Sequence, residues 1–245
     1  LSDNEITGNT AFWGGGLSVL RYHPAVIADN LFADNHATGV HGSDIPNRGG
    51  AVDIRQEDES YVITFSGNTV ISNTSTAYGG GIAVHEGQHI FTQNEIRSNS
   101  AITGGGLYLD YSDAQITENV ITHNTATGPG GGMSIWNGQP WIFSNDIFFN
   151  TAQGSGGGIH SYSTNAGFEE YGGPALFGNH IRNNTAYGGG GVFLEFSYAT
   201  VIGNIFEGNE AAGGGAGVAG GGMSLLVSDA TVDRNTFKFN VAEQG

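Results

Sequence analysis

An all-β solenoid, a rod of short stacked coils, is the fold this sequence predicts, and three observations predict it. Glycine occupies 43 of 245 positions while charged residues make up 12%, a balance that suits neither an ordinary α/β domain nor a helical one. Asparagines recur in pairs five residues apart along the whole chain. Between those pairs apolar residues alternate with polar ones, which is strand periodicity, and helical spacing is missing.

So much glycine means disorder or repetition. Disorder is disfavoured, because 38% of residues are hydrophobic, 11% are aromatic and five are proline, enough apolar material to bury a core. The repeat has nine copies, anchored at Asn4, Asn30, Asn68, Asn94, Asn119, Asn145, Asn179, Asn204 and Asn235. Each anchor is followed five residues later by its partner: Asn9, Asn35, Asn73, Asn99, Asn124, Asn150, Asn184, Asn209 and Asn240.

The elements follow in order around a coil. Three residues before each anchor stands an apolar side chain, as in Ile116 and Ile142, and two residues after it another, as in Ile121 and Ile147; these read as inward positions on two short strands. Seven after the anchor comes Ala, or Ser75 in one copy, a residue small enough for a tight inner corner. A glycine run leads to a third apolar pair, such as Leu107 with Leu109 or Met133 with Ile135. Each coil is therefore expected to hold three strands and three turns. The shortest anchor spacing of 25 residues is too little for a propeller blade, and no segment resembles the helix of a leucine-rich or ankyrin unit.

The expected architecture is a single-stranded right-handed parallel β-helix of about nine coils, one domain over residues 1–245, with successive coils spaced at roughly 4.8 Å. Stacking explains the consensus. Asparagine tolerates left-handed backbone, and its amide can donate and accept along a ladder of identical amides. Glycine allows close approach between coils. Both features read as architecture. The sequon Asn73-Thr74-Ser75 reads as a buried turn.

Charge narrows the partners. Twenty-three acids against seven bases repel phosphate backbones, so no nucleic acid is expected, and a uronate polymer would need a divalent cation between itself and the protein. A neutral glycan or a cell-surface protein fits better. Without cysteine there are no disulfides, thiolates or sulfur-bound zinc. No run of 18 apolar residues exists, so this segment is not expected to insert in a membrane. The chain starts and stops inside a repeat, with no initiating Met or export signal, and reads as a fragment of a longer protein.

Phe65-Ser66-Gly67-Asn68 and Phe91-Thr92-Gln93-Asn94 fit a Phe-x-x-Asn motif, and Gly49-Gly50-Ala51-Val52 fits Gly-Gly-Ala-apolar. In these motifs the sequence resembles chlamydial polymorphic outer-membrane-protein repeats. Looser versions carry the resemblance across essentially the whole chain. It implies a pectate-lyase-like β-helix, export to the cell surface and an adhesive or structural role. It implies no chemistry, because the shared motifs are ladder residues.

In related β-helix enzymes the ligand lies along the strand that follows the glycine run. Outward positions there include Asp53 and Arg55, Ala83 and His85, Tyr108 and Asp110, Ser134 and Trp136, His160 and Tyr162, and Phe193 and Glu195. Two insertions, 36–48 and 162–173, flank this face. Tyr108, Trp136, Tyr162 and Phe193 are candidate stacking platforms for sugar rings, with His85, Asp110, His160 and Glu195 as ligand-binding polar contacts and Asp53 beside them. The competing reading is a cross-strand aromatic ladder that shields backbone. Trp141, Phe143, Phe177 and Ile202 form a second outward stripe, read as a packing or subunit interface.

Catalysis has candidates but no signature: Asp53 and Asp110 lie two coils, on the order of 10 Å, apart, and His160 and Glu195 are the others. No cofactor is expected apart from Ca2+, with weak candidate ligands in Glu57, Asp58 and Glu59 or in Glu169 and Glu170; adjacent acids are more often simply solvated. The leading expectation is a non-enzymatic adhesive or structural protein, extracellular or on the outer cell surface, with glycan binding on this face. The alternatives are a polysaccharide-degrading hydrolase or lyase, and a filament subunit that associates end to end or laterally.

Overall fold

Parallel strands alone build the described part of the chain. The computed structural model describes residues 1–20, 23–39, 48–55, 61–163, 172–213 and 220–243. Its strands form four sheets, two of nine strands and two of eight, each strand pairing in parallel with its counterpart one coil away. Register follows the repeat: Ile82 pairs with Leu107 and Val84 with Leu109, and Ile121 pairs with Ile147.

One coil shows the order. Trp141–Phe143 lies in the pre-anchor sheet, Asp146–Phe148 in the post-anchor sheet, Thr151–Ala152 in the corner sheet and Ile159–Tyr162 in the post-glycine sheet. The coil thus has four strands, not three. The extra one is the small-residue corner itself, where Ala126 and Ala152 are buried and the backbone stays extended for two residues. Both expected insertions are also shorter at their edges, since His36–Ala37 belongs to the corner sheet and Tyr162 to the post-glycine sheet.

The core is a column of apolar side chains sent inward by alternate strand positions. Ile116, Ile121, Met133 and Ile135 are fully buried in one coil, each worth about 1.5–3 kcal/mol of transfer free energy. Phe32, Phe65 and Phe91 run along the axis with ring centroids 5.8 and 5.7 Å apart. Parallel sheets buried on their inner face in this way give each coil a hydrophobic floor and roof made of its neighbours.

Both asparagine columns form unbroken ladders. Asn124 Nδ2 donates to Asn150 Oδ1 at 3.0 Å and to Ile96 O at 2.9 Å, while its own Oδ1 accepts from Asn99 N at 3.0 Å and Asn99 Nδ2 at 3.1 Å. Asn73, the sequon residue, is fully buried in the same ladder. The left-handed backbone, however, sits on the residue before each asparagine rather than on the asparagine. Asp29, Glu118 and Ser144 precede anchors with φ of 55°, 56° and 54°, and His123, Phe149 and Asn183 precede partners with φ of 56°, 52° and 53°. Asparagine is selected here for the amide bonds it sends to the coils on both sides.

Candidate functional site

The post-glycine sheet presents two outward columns, and they differ. The first runs Ser18, Asp53, Ala83, Tyr108, Ser134, His160, Phe193 and Ser224. From the second coil onward it is buried: Asp53 is 0% exposed, Tyr108 5%, His160 4% and Phe193 4%. The cause is the corner glycine ahead of each strand. A Cβ built on Gly104 would stand 3.1 Å from Tyr108 Cβ, and one on Gly189 would stand 2.8 Å from Phe193 Cβ. The glycine backbone therefore packs against the base of this column, and Tyr108 and Phe193 are buried rather than open stacking platforms.

The residue before each corner glycine adds a second cover. Trp13, Arg48 and Tyr78 occupy that position in successive coils, the glycines after them bonding coil to coil. Arg55 lies over the Trp13 ring at 4.1 Å, a cation–π contact. Tyr78 stacks on Tyr108 at 4.6 Å between centroids. Sequence periodicity gave no sign of these three, because the position carries a different residue in every coil.

The second column, Arg55, His85, Asp110, Trp136, Tyr162 and Glu195, is half-buried. Its first half is an ionic cluster. Arg55 Nη2 approaches Asp53 Oδ2 at 2.8 Å, Arg48 Nη2 approaches Asp110 Oδ2 at 3.2 Å, and His85 Nδ1 lies 3.0 Å from the same Asp110 oxygen. Asp53 and Arg55 are alternate residues of one strand, so the guanidinium comes from the side. The contact is ionic, and neither Asp53 oxygen accepts an aligned hydrogen bond. Burial raises the Asp53 pKa above the ordinary aspartate value, opposed by the nearby charges of Arg55, Arg48 and His85. Burial, reinforced by the Asp110 charge, likewise raises the Tyr108 hydroxyl.

Further along the column, Trp136 and Tyr162 lie 4.8 Å apart at 53°, and Trp136 Nε1 donates to Ser134 Oγ at 3.1 Å. His160 stacks on Phe193 at 5.9 Å, and its Nε2 stands 3.8 Å from Glu195 Oε2. Phe193 and Glu195 line a cavity of about 270 Å³ with Ser155, Tyr187 and Leu226. The structure thus joins Asp53 to Arg55, His85 to Asp110, and His160 to Glu195 and Phe193. It holds Asp53 and Asp110 on separate cations instead of facing each other as a catalytic pair.

Glu57, Asp58, Glu59, Glu169 and Glu170, the calcium candidates, lie outside the described residues. Among the described residues no three His, Asp or Glu side chains gather as a metal site, and no helix is long and apolar enough to cross a membrane.

A separate groove of about 890 Å³ opens on the pre-anchor sheet, lined by Gln88, Asp113, Gln115, Thr117, Gln139, Trp141, Phe143 and Phe177. Of the second aromatic stripe, Trp141 and Phe143 are 60% and 49% exposed, whereas Phe177 and Ile202 are half-buried.

No curated protein and no solved structure matches the chain. The chlamydial likeness rests on the quoted motifs alone, while the fold it implied has independent support. Residues 51–237 match a family described as the right handed beta helix region. With four parallel sheets stacked coil on coil and a family match over most of its length, the chain belongs to the right-handed β-helix family.

Proposed function

We propose that this β-helix is a non-enzymatic rod acting outside the cell or on its outer surface, where it adheres to a glycan or a cell-surface protein. The observation that carries the reading is the state of the carboxylates on the post-glycine sheet. A general acid or base must reach its substrate and keep a lone pair or proton to exchange. Asp53 is fully buried against Arg55, and Asp110 is divided between Arg48 and His85. Those groups serve the fold. The test incubates the chain with neutral and uronate polymers, following reducing ends and unsaturated products, beside a glycan array and a cell-binding assay. Binding without turnover is expected; turnover abolished by Asp110→Ala or Asp53→Ala overturns the proposal.

One observation favours a second reading, polysaccharide cleavage. His160 and Glu195 form a histidine–carboxylate pair at 3.8 Å, and Glu195 borders the cavity described above. Turnover removed by Glu195→Gln but kept in Asp110→Ala would establish that reading in place of the first.

A further inference from the structure

The groove on the pre-anchor sheet is lined by aromatic rings on one side and amide side chains on the other. Coil register builds it. Gln115 pairs with Trp141, and Thr117 pairs with Phe143, which in turn pairs with Phe177. Trp141 and Phe177 ring centroids stand 6.0 Å apart. The wall is a column of turn residues, Gln88, Asp113 and Gln139, from three successive coils, and Asp113 Oδ1 accepts from the Gln139 backbone N–H at 2.8 Å, fixing the turn.

We infer that this groove binds a neutral oligosaccharide, laid along the rod axis with its ring faces on Trp141 and Phe143 and its hydroxyls toward Gln88, Gln115 and Gln139. The inference deepens the adhesive reading by naming a binding face and a ligand class. Three features select that ligand. Trp141 and Phe143 are the two exposed aromatics lining it, and they offer flat apolar area to the C–H face of a pyranose. The Gln88 and Gln115 side chains bond to no other described residue, and each amide can both donate and accept, as sugar hydroxyls require. No Lys, Arg or His lines the groove and the chain carries a net charge of −16, which disfavours a polyanionic glycan. From Gln88 to Phe177 the groove crosses three coil steps, roughly 15 Å, room for a few sugar rings.

A second copy of the chain is the competing occupant. It would bring its own negative charge against Asp113 and leave the glutamine amides to find partners in an apolar contact, so the polar wall favours the sugar.

Tryptophan fluorescence tests this directly. Of the three tryptophans, Trp141 is the exposed one, while Trp13 and Trp136 are half-buried. The intact chain is titrated with cellohexaose, mannohexaose and xylohexaose, and with polygalacturonate as the anionic control. Saturable quenching by a neutral hexasaccharide is expected, absent with Trp141→Phe fluorescence read alone and weakened about tenfold or more by Phe143→Ala in calorimetry. Circular dichroism checks that each variant keeps its strands. Several results would overturn the inference: unchanged affinity in Trp141→Ala and Phe143→Ala, binding of polygalacturonate instead, or no saccharide binding. Self-association in sedimentation that is lost in Trp141→Ala would assign the groove to a second copy. The adhesive reading survives these failures if cell binding persists, and it falls separately if the saccharide is cleaved.

Discussion

Replacing Asn124 by alanine removes one rung of a ladder whose bonds can be counted. Asn99 N–H, buried and bonded to Asn124 Oδ1 at 3.0 Å, is left without a partner. An orphaned buried donor costs about 1–3 kcal/mol. Asn99 Nδ2 keeps its bond to Val70 O but loses the one to Asn124, and Ile96 O and Asn150 Oδ1 each lose one donor. At about 0.5–1.5 kcal/mol for each of those bonds, the substitution is expected to destabilise by ~4 kcal/mol in all. Asn4→Ala is the internal control: Asn4 is exposed, donating to Ser2 O and Asn30 Oδ1, so its loss costs under about 1 kcal/mol. Asn124→Asp separates chemistry from shape. It keeps the oxygen that Asn99 needs and turns a second oxygen toward Ile96 O and Asn150 Oδ1, a buried clash of acceptors relieved when acid protonates the carboxyl. Urea denaturation followed by far-UV circular dichroism at neutral and acid pH measures all three. Equal midpoints for Asn124→Ala and Asn4→Ala, or a neutral Asn124→Asp at pH 7, would refute the claim that the amides bind the coils together.

Three further perturbations test other parts of the fold. In Gly105→Ala the new Cβ would meet Gly131 O at 2.5 Å and Thr125 O at 2.6 Å, so a loss of about 3 kcal/mol is expected, whereas Gly8→Ala, with open space but φ of 67°, should lose ~1 kcal/mol; equal losses in urea melts would contradict this. Arg55→Met strands the Asp53 carboxylate and should cost about 3–5 kcal/mol at pH 7. Burial already raises the Asp53 pKa, so the folded variant takes up a proton readily as pH falls and its deficit against the parent should narrow in acid; a constant deficit would be a failure. His89 is fully buried, its Nδ1 accepting from Ile63 N–H, and burial lowers its pKa from 6.5 to about 4. Well above pH 6.5 it is neutral folded or unfolded. As pH drops from 6.5 to about 4 the unfolded chain gains a proton the fold refuses, removing ~3 kcal/mol, and His89→Gln should flatten that part of the stability curve. Parallel curves for parent and variant would count against it.

Repetition made the architecture legible. The asparagine pairs fixed the coil phase, and apolar residues such as Ile116, Ile121, Leu107 and Leu109 point inward where alternation places them. What escaped was whatever does not repeat. The two-residue corner strand is too short to carry a period. The left-handed position has no signature in the sequence, because its holders, among them Asp29, Phe149 and Arg234, share no one residue type. Alternation places Tyr108 and Phe193 outward, but it reports only the side of a strand and not what packs against that side. The groove beside Trp141 needs Gln88, Asp113 and Gln139 to be aligned across three turns, and turns have no hydrophobic pattern to align them.

The double asparagine ladder also decides how the rod carries mechanical load. Both columns flank the post-anchor strand, as Asn145 and Asn150 flank Asp146–Phe148, and each amide grips the coil ahead through a neighbouring amide and the coil behind through a carbonyl. Tension along the axis is shared by both ladders and, beside the partner ladder, by the glycine run, whose backbone bonds include Gly105 N to Gly130 O and whose Gly106 lies against the Asn124 amide. The ladder flank therefore carries side-chain bonds in addition to backbone ones. A rod with these extra bonds gathered on one flank is expected to resist stretching most on that flank, and single-molecule pulling of Asn124→Ala against the parent would measure it.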